Sequence, residues 1–174
     1  GEPLRLMVDL PNDVAIVDLF LHVPGRRLIL ASTVGDGFLV PEEEVLAQTR
    51  SGKQALNVKD PVRAALCRPL VGDHVAVVSQ NGKLLIFPAS ELPEMSRGKG
   101  VRLQKYNMAR GRQGSLELDG GLADLTSFDL AQGLSWQTPN GQTRREPDVA
   151  QWLGKRAGVG RQVPRGFPKD RRFT

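Results

Sequence analysis

Short runs of alternating apolar and polar residues dominate this chain, and glycine, proline or asparagine interrupts them about every 8–12 residues. Leu4–Leu10 alternates as a half-buried strand does and stops at Pro11-Asn12-Asp13. Val14–His22 predicts a second strand, closed by Pro24-Gly25. Arg27–Thr33, a turn at Gly35-Asp36-Gly37 and Phe38–Val40 predict a hairpin. His74–Ser79 and Lys83–Phe87 predict another around Asn81-Gly82, a dipeptide suited to the left-handed turns that match strand twist. Glu42–Thr49 and Ser90–Met95 carry prolines and acids and read as single helical turns or loops. Gln54–Val58, Val101–Gln104, Leu125–Leu130 and Leu134–Gln137 read as further strands, with a turn at Asn140-Gly141. One short helix is expected over Asp148–Ala157, with Pro147 at its start and Val149, Trp152 and Leu153 on one face. Residues 107–121 are polar and glycine-rich and predict a surface excursion. Residues 162–174 combine prolines and basic residues without periodicity and predict an irregular basic tail.

The strand pattern repeats. Ser32, Gly35, Val40, Pro41, Glu44 and Val45 of Leu28–Lys59 correspond to Ser79, Gly82, Phe87, Pro88, Glu91 and Leu92 of His74–Lys105. A looser copy runs through Trp136, Asn140-Gly141, Pro147-Asp148-Val149 and Arg156–Gly160. Self-similarity at about 40–50 residues marks propellers and related radial arrays. The expected fold is all-β: one domain over residues 1–174, built as a propeller-like disc, with blade number and ring closure left open.

Composition narrows the chemistry. The chain has 174 residues and one cysteine, Cys67, in an apolar stretch, so no disulfide framework is expected and a reducing cytoplasm fits. No apolar run approaches the roughly 18 residues of a membrane span, and no signal-peptide pattern opens the sequence. A first residue of Gly1 rather than Met suggests a segment of a longer protein. His22, His74 and Cys67 have no zinc-ligand spacing, and no metal or cofactor is expected. No nucleophile elbow or Cys/His pair occurs, and Tyr106, the one tyrosine, lies in the expected excursion, so the segment is read as non-catalytic. The Glu shared by the repeats, Glu44 and Glu91, reads as a bridging or capping group.

The net charge of +5 is unevenly spread: residues 1–96 carry −3 and residues 97–174 carry +8. Such polarity suggests a face aimed at a polyanion. Both clear repeats close on a basic, glycine-containing turn, Arg50-Ser51-Gly52-Lys53 and Arg97-Gly98-Lys99-Gly100, and Arg156 recurs more loosely. These are neither Walker nor Rossmann loops. Gly52, Gly98 and Gly100 shape the turns in either reading; the plain one stops there, and the functional one adds backbone N–H groups and cations that hold an anion. A disc would set these turns on one rim, a blade width apart, where duplex DNA could lie across them. Candidate phosphate contacts are Arg50, Lys53, Arg97, Lys99, Arg102, Lys105, Arg144, Arg145, Lys155 and Arg156. A rival reading is a protein-docking disc, using the acidic residues Glu42, Glu43, Glu44, Asp60 and Asp73.

Four strings sharpen this. Ala31–Phe38, Ala47–Gln54, Leu92–Val101 and Pro164-Arg165-Gly166-Phe167-Pro168 resemble the C-terminal domain of bacterial topoisomerase IV A subunits and, more weakly, of gyrase A subunits. The resemblance implies a β-pinwheel, a disc of four-stranded blades that exchange strands. It implies a basic outer face that binds and bends double-stranded DNA and presents it to a catalytic core for decatenation and supercoil relaxation. The implied partners are the rest of the same polypeptide and a separate ATPase polypeptide, together a heterotetramer, in the cytoplasm at the nucleoid. ATP, Mg and the catalytic tyrosine belong to regions outside this segment, and Tyr106 does not match that tyrosine's motif. The gyrase box Q-R-R-G-G-K-G is matched only at its end, by Arg97–Gly100, with Met95-Ser96 in place of its start. That departure implies bending rather than full wrapping.

Overall fold

The computed structural model describes residues 14–110 and 116–174; the predicted strand Leu4–Leu10 lies outside them. Twelve strands form among the described residues: β1 (Arg27–Ser32), β2 (Asp36–Pro41), β3 (Ala64–Pro69), β4 (His74–Ser79), β5 (Lys83–Pro88), β6 (Val101–Arg102), β7 (Asn107–Arg110), β8 (Leu116–Asp119), β9 (Leu122–Phe128), β10 (Leu134–Gln137), β11 (Thr143–Glu146) and β12 (Arg161–Gln162). The only α-helix among those residues is the single turn α1 (Glu42–Val45). Two four-stranded antiparallel sheets run β3-β1-β2-β6 and β12-β5-β4-β9; β10-β11 and β7-β8 are separate hairpins.

The three repeats are built on one hydrogen-bond plan. Gly35, Gly82 and Gly141 turn their hairpins at φ of 75°, 78° and 76°, and their amides donate to the carbonyls of Ser32, Ser79 and Thr138. The residue after each glycine then donates its amide to the hydroxyl of the same residue: Asp36 to Ser32 (3.3 Å), Lys83 to Ser79 (2.9 Å) and Gln142 to Thr138 (3.2 Å). A positive φ at the turn suits glycine, and a short hydroxyl satisfies the next amide. Thr138 is thereby the third copy of the turn serine.

Each clear blade takes its outermost strand from the following repeat. The segment after β5 returns to the edge of β2: Leu39 donates to Pro93 O, Met95 donates to Leu39 O, and β6 pairs Val101 with Gly37 and Arg102 with Asp36. The segment after β11 does the same on β5, where Gly154 donates to Ile86 O and β12 pairs Arg161 with Leu84 and Gln162 with Lys83. These are exchanged strands, as expected of a pinwheel. No described residue covers the outer edge of β11, so the array is open there.

The sheets bury both faces. Leu28, Leu30, Phe38 and Val40 pack on one side of the first blade, while Ile29, Ala31 and Leu39 meet Val75, Val77, Leu85 and Phe87 across the interblade core. Ala76, Val78, Leu84 and Ile86 face the other way, onto Leu134, Trp136, Val149, Trp152, Phe167 and Phe173. The period-2 geometry of a strand sends alternate residues to two different cores.

Several expectations change. Val14–His22 forms no strand: its apolar side chains are largely exposed, and Leu21 is 88% exposed. Its end is instead pinned to the first blade through Glu42, which accepts from Arg26, from the Val23 amide (3.0 Å) and bonds His22 (2.9 Å). Ala64–Pro69, which in sequence is only an apolar stretch, is a full strand beside β1. Gln54–Val58 contributes a single bridge, Leu56 to Gly98. The described part of the 107–121 excursion is a paired hairpin, β7-β8. The helix expected over Asp148–Ala157 reduces to a 3-10 turn, Ala150–Trp152, because only Val149 and Trp152 find a core and Leu153 stays 41% exposed. The tail is irregular but docked: Phe167 and Phe173 are buried, the Phe173 amide donates to Asp124 (2.9 Å), and its carbonyl accepts from Gln137.

Candidate nucleic-acid interface

The exchanged segments create the basic turns. Residues 93–95 run beside β2, leave its edge, and return as β6; residues 153–154 and β12 do the same on β5. The chain between each pair of feet is therefore projected outward, and it carries Arg97 and Lys99 in one case and Lys155 and Arg156 in the other. Gly100 sits where the first loop rejoins the sheet: φ is 82°, and a Cβ there would strike the Gly37 backbone. Gly98 (φ 155°) lies against the Met95 methyl, whereas Gly52 (φ 82°) has open space around it.

These loops join one another. Asn57 donates to Gly98 O (2.8 Å) and Gly98 to Ala55 O (3.0 Å), so the chain following Arg50–Lys53 rests on the Arg97 loop. Beyond it, Ala157 donates to Leu103 O (2.9 Å) and Lys105 to Gly158 O (2.9 Å). Backbone hydrogen bonds thus link the segments that carry or follow the three turns, since each exchanged segment lies beside the loop of its neighbour.

The ten candidate cations fall into two groups. Arg50, Lys105, Arg144, Arg145 and Lys155 are exposed, and their side chains make no hydrogen bond or ion pair with described residues. The others are engaged. Lys53 pairs with Glu44 at 3.5 Å. Arg97 donates to Gln54 Oε1 (2.9 Å) and Asn57 Oδ1 (3.3 Å). Lys99 and Arg102 converge on the buried carboxylate of Asp36, at 3.2 and 2.7 Å. Arg156 donates to the carbonyls of Glu91 (3.1 Å) and Arg102 (2.6 Å), while its amide donates to Glu91 Oε2 (2.6 Å). Arg156 thus fastens the third loop to the second. Arg144 and Arg145 lie on β11, in the third hairpin. A groove of about 620 Å³ opens between the first two loops, lined by Asp36, Gln54, Asn57, Arg97, Lys99 and Arg102 among others.

A family model described as the DNA gyrase C-terminal domain, a β-propeller, matches residues 27–63 and 73–121. The A subunit of DNA topoisomerase 4 from Caulobacter vibrioides is 47% identical over 99% of this chain, and that from Rickettsia bellii 40% identical over all of it. The chain belongs to the gyrase A C-terminal domain family. It spans only 21–22% of the length of those relatives. The fold agrees: the solved E. coli ParC C-terminal domain superposes with a TM-score of 0.75 at 24% identity, covering 97% of this chain and 68% of that one.

Within this gyrase A C-terminal domain fold, the residues that sequence reasoning misses are the acceptors behind the cations. In sequence Asp36 is only part of a glycine turn, although an acid between two glycines at a strand start is a signal for a charged cross-strand partner. Glu91, expected to bridge or cap, does bridge, to Arg156. Gln54 and Asn57 give no signal, because their partner Arg97 comes from the next repeat. Two further groups, buried Tyr106 and half-buried Cys67, make no hydrogen bond to the loop cations. Burial pushes the Tyr106 hydroxyl above the ordinary phenol range, and it raises the Cys67 thiol to about 11.

Proposed function

We propose that this domain binds duplex DNA through its backbone, without reading sequence, and bends it so that a segment is presented to a catalytic core carried elsewhere in the same polypeptide. Decatenation and supercoil relaxation are the reactions served. ATP, Mg and catalysis belong to other regions, and the working assembly is a heterotetramer of that longer polypeptide with a separate ATPase polypeptide, in the cytoplasm. The observation that carries this reading is the continuous track of basic loops, joined by backbone hydrogen bonds from Ala55 to Gly158. Cations spaced along a hydrogen-bonded ribbon fit a phosphate backbone, which gives affinity without sequence information. Smooth bending of a short site costs on the order of 1–6 kcal/mol, which several phosphate contacts offset.

The docking reading has less to stand on. Of its acids, Glu42, Glu43, Glu44 and Asp73 already hold Arg26, the Gly25 amide, Lys53 and the Leu130 amide. Titration with mixed-sequence duplexes at about 0.05 and about 0.2 M salt separates the two. Phosphate binding gives a steep loss of affinity with salt and equal affinity for unrelated sequences. Salt-independent binding, or none at the lower salt, defeats the proposal.

A further inference from the structure

The three hairpins differ at one equivalent position. Asp36, Lys83 and Gln142 each follow the turn glycine and donate an amide to the turn hydroxyl, so the hydrogen bonds fix their correspondence. In the first two blades this residue begins the strand whose edge holds the basic loop: Asp36 faces Arg102, and Lys83 faces Gln162. The same place thus carries an acid, a base and an amide in turn.

At the first place the acid is buried, with a side chain only 4% exposed, and it draws on two loop cations. Lys99 is 71% exposed, and its Nζ lies 3.2 Å from Asp36 Oδ2, an ion pair without hydrogen-bond geometry, while Arg102 donates to Oδ1. A polyanion approaching Lys99 and Arg102 meets cations already half neutralised, above a fixed negative charge. At the second place the charge is reversed: Lys83 pairs across the edge with Gln162, next to Arg161. The side chains of Lys155 and Arg161 have no acidic partner among the described residues, the one carboxylate bonded to this loop being that of Glu91, on the Arg156 amide.

We propose that this position sets how strongly each blade holds DNA: Asp36 is a built-in counter-ion that weakens the contact at Arg97–Arg102, and Lys83 makes the Lys155–Arg161 loop the principal phosphate contact. This rests on the DNA-binding reading above. The remnant of the gyrase-type box is then the weaker contact, although it looks the stronger in sequence.

The test measures mixed-sequence duplex affinity against salt for the chain and three variants, each checked by thermal melting. Asp36→Asn keeps an acceptor for Arg102 but frees Lys99. It should bind about eightfold tighter near 0.1 M salt, with a slope steeper by about 0.9, the effect of one further neutralised phosphate. Glu94→Gln changes the net charge equally at the foot of the same loop, where the carboxylate pairs with Arg27 (3.6 Å) and not with a loop cation, and should shift affinity less than twofold. Lys83→Glu installs the acid in the second blade and should weaken binding at least eightfold and flatten the slope. Equal or weaker binding by a folded Asp36→Asn protein overturns the inference, as does an equal gain in Glu94→Gln. If Asp36→Asn does not fold, wild-type affinity in Lys83→Glu overturns it. Absence of duplex binding by the unaltered chain rejects the DNA-binding reading itself.

Discussion

Glu42 shows what one carboxylate contributes. It is 2% exposed and ties Arg26, His22 and the Val23 amide together, holding the approach to the first blade against α1. The Arg26 guanidinium, foremost, holds its carboxyl down to about 2 from an ordinary 4.5, outweighing the desolvation that opposes it. A depressed acid stabilises the fold fully above its unfolded pKa and loses that contribution as pH falls through the folded value. Glu42→Gln should therefore lower the melting temperature at neutral pH. The difference from the unaltered chain should shrink between about pH 4.5 and about 2, and a constant difference across that range would rule out the charge as its source. Arg156 illustrates the opposite risk at this scale. A basic residue at a repeat-equivalent place reads in sequence only as a phosphate contact, whereas its Nε and one terminal nitrogen also donate to two backbone carbonyls.

Hairpins are the legible elements. Asn81-Gly82 between β4 and β5 stands out in sequence because a two-residue turn is local chemistry. The exchanged strands are not legible in the same way: β6 and β12 are two residues long, and what makes them strands is an edge offered by another repeat. Val14–His22 fails for another reason: it carries a strand pattern, but its apolar side chains stay largely exposed and Asp18 reaches β3 only through the side chain of Arg68 (3.2 Å). The tail has no period at all, yet three rings make it an element: Phe167 lies 5.6 Å from Trp136 and 5.3 Å from Phe173. Phe173 is 2% exposed. Phe173→Ala should cost about 3–5 kcal/mol by removing buried area and leaving a cavity. Denaturant unfolding measures this, and a loss under about 1 kcal/mol would show that the tail merely rests on the sheet.

At the scale of the molecule, an uneven charge along the chain becomes a structural arrangement. The acids of the first half are mostly turned to internal partners, while the basic loops of both halves are stitched into one ribbon. The sequence points to the ribbon's residues but not to the hydrogen bonds between them, because linear repeats carry no record of which loop leans on its neighbour. Strand exchange supplies that link, and it also governs how the chain ends its sheets. The covered strand β5 is Lys-Leu-Leu-Ile-Phe-Pro, whereas β11, whose outer edge no described residue covers, is Thr-Arg-Arg-Glu. Charge on an open edge discourages another molecule from adding to it, and an apolar open edge invites that addition. Arg144 and Arg145 thus guard against aggregation whether or not they touch phosphate. Cutting the chain before residue 153 would strip the cover from β5 and leave Leu-Leu-Ile-Phe as a bare edge. Such a truncated protein should self-associate in light scattering at concentrations where the whole chain stays dispersed, and charged substitutions along β5 should restore its solubility.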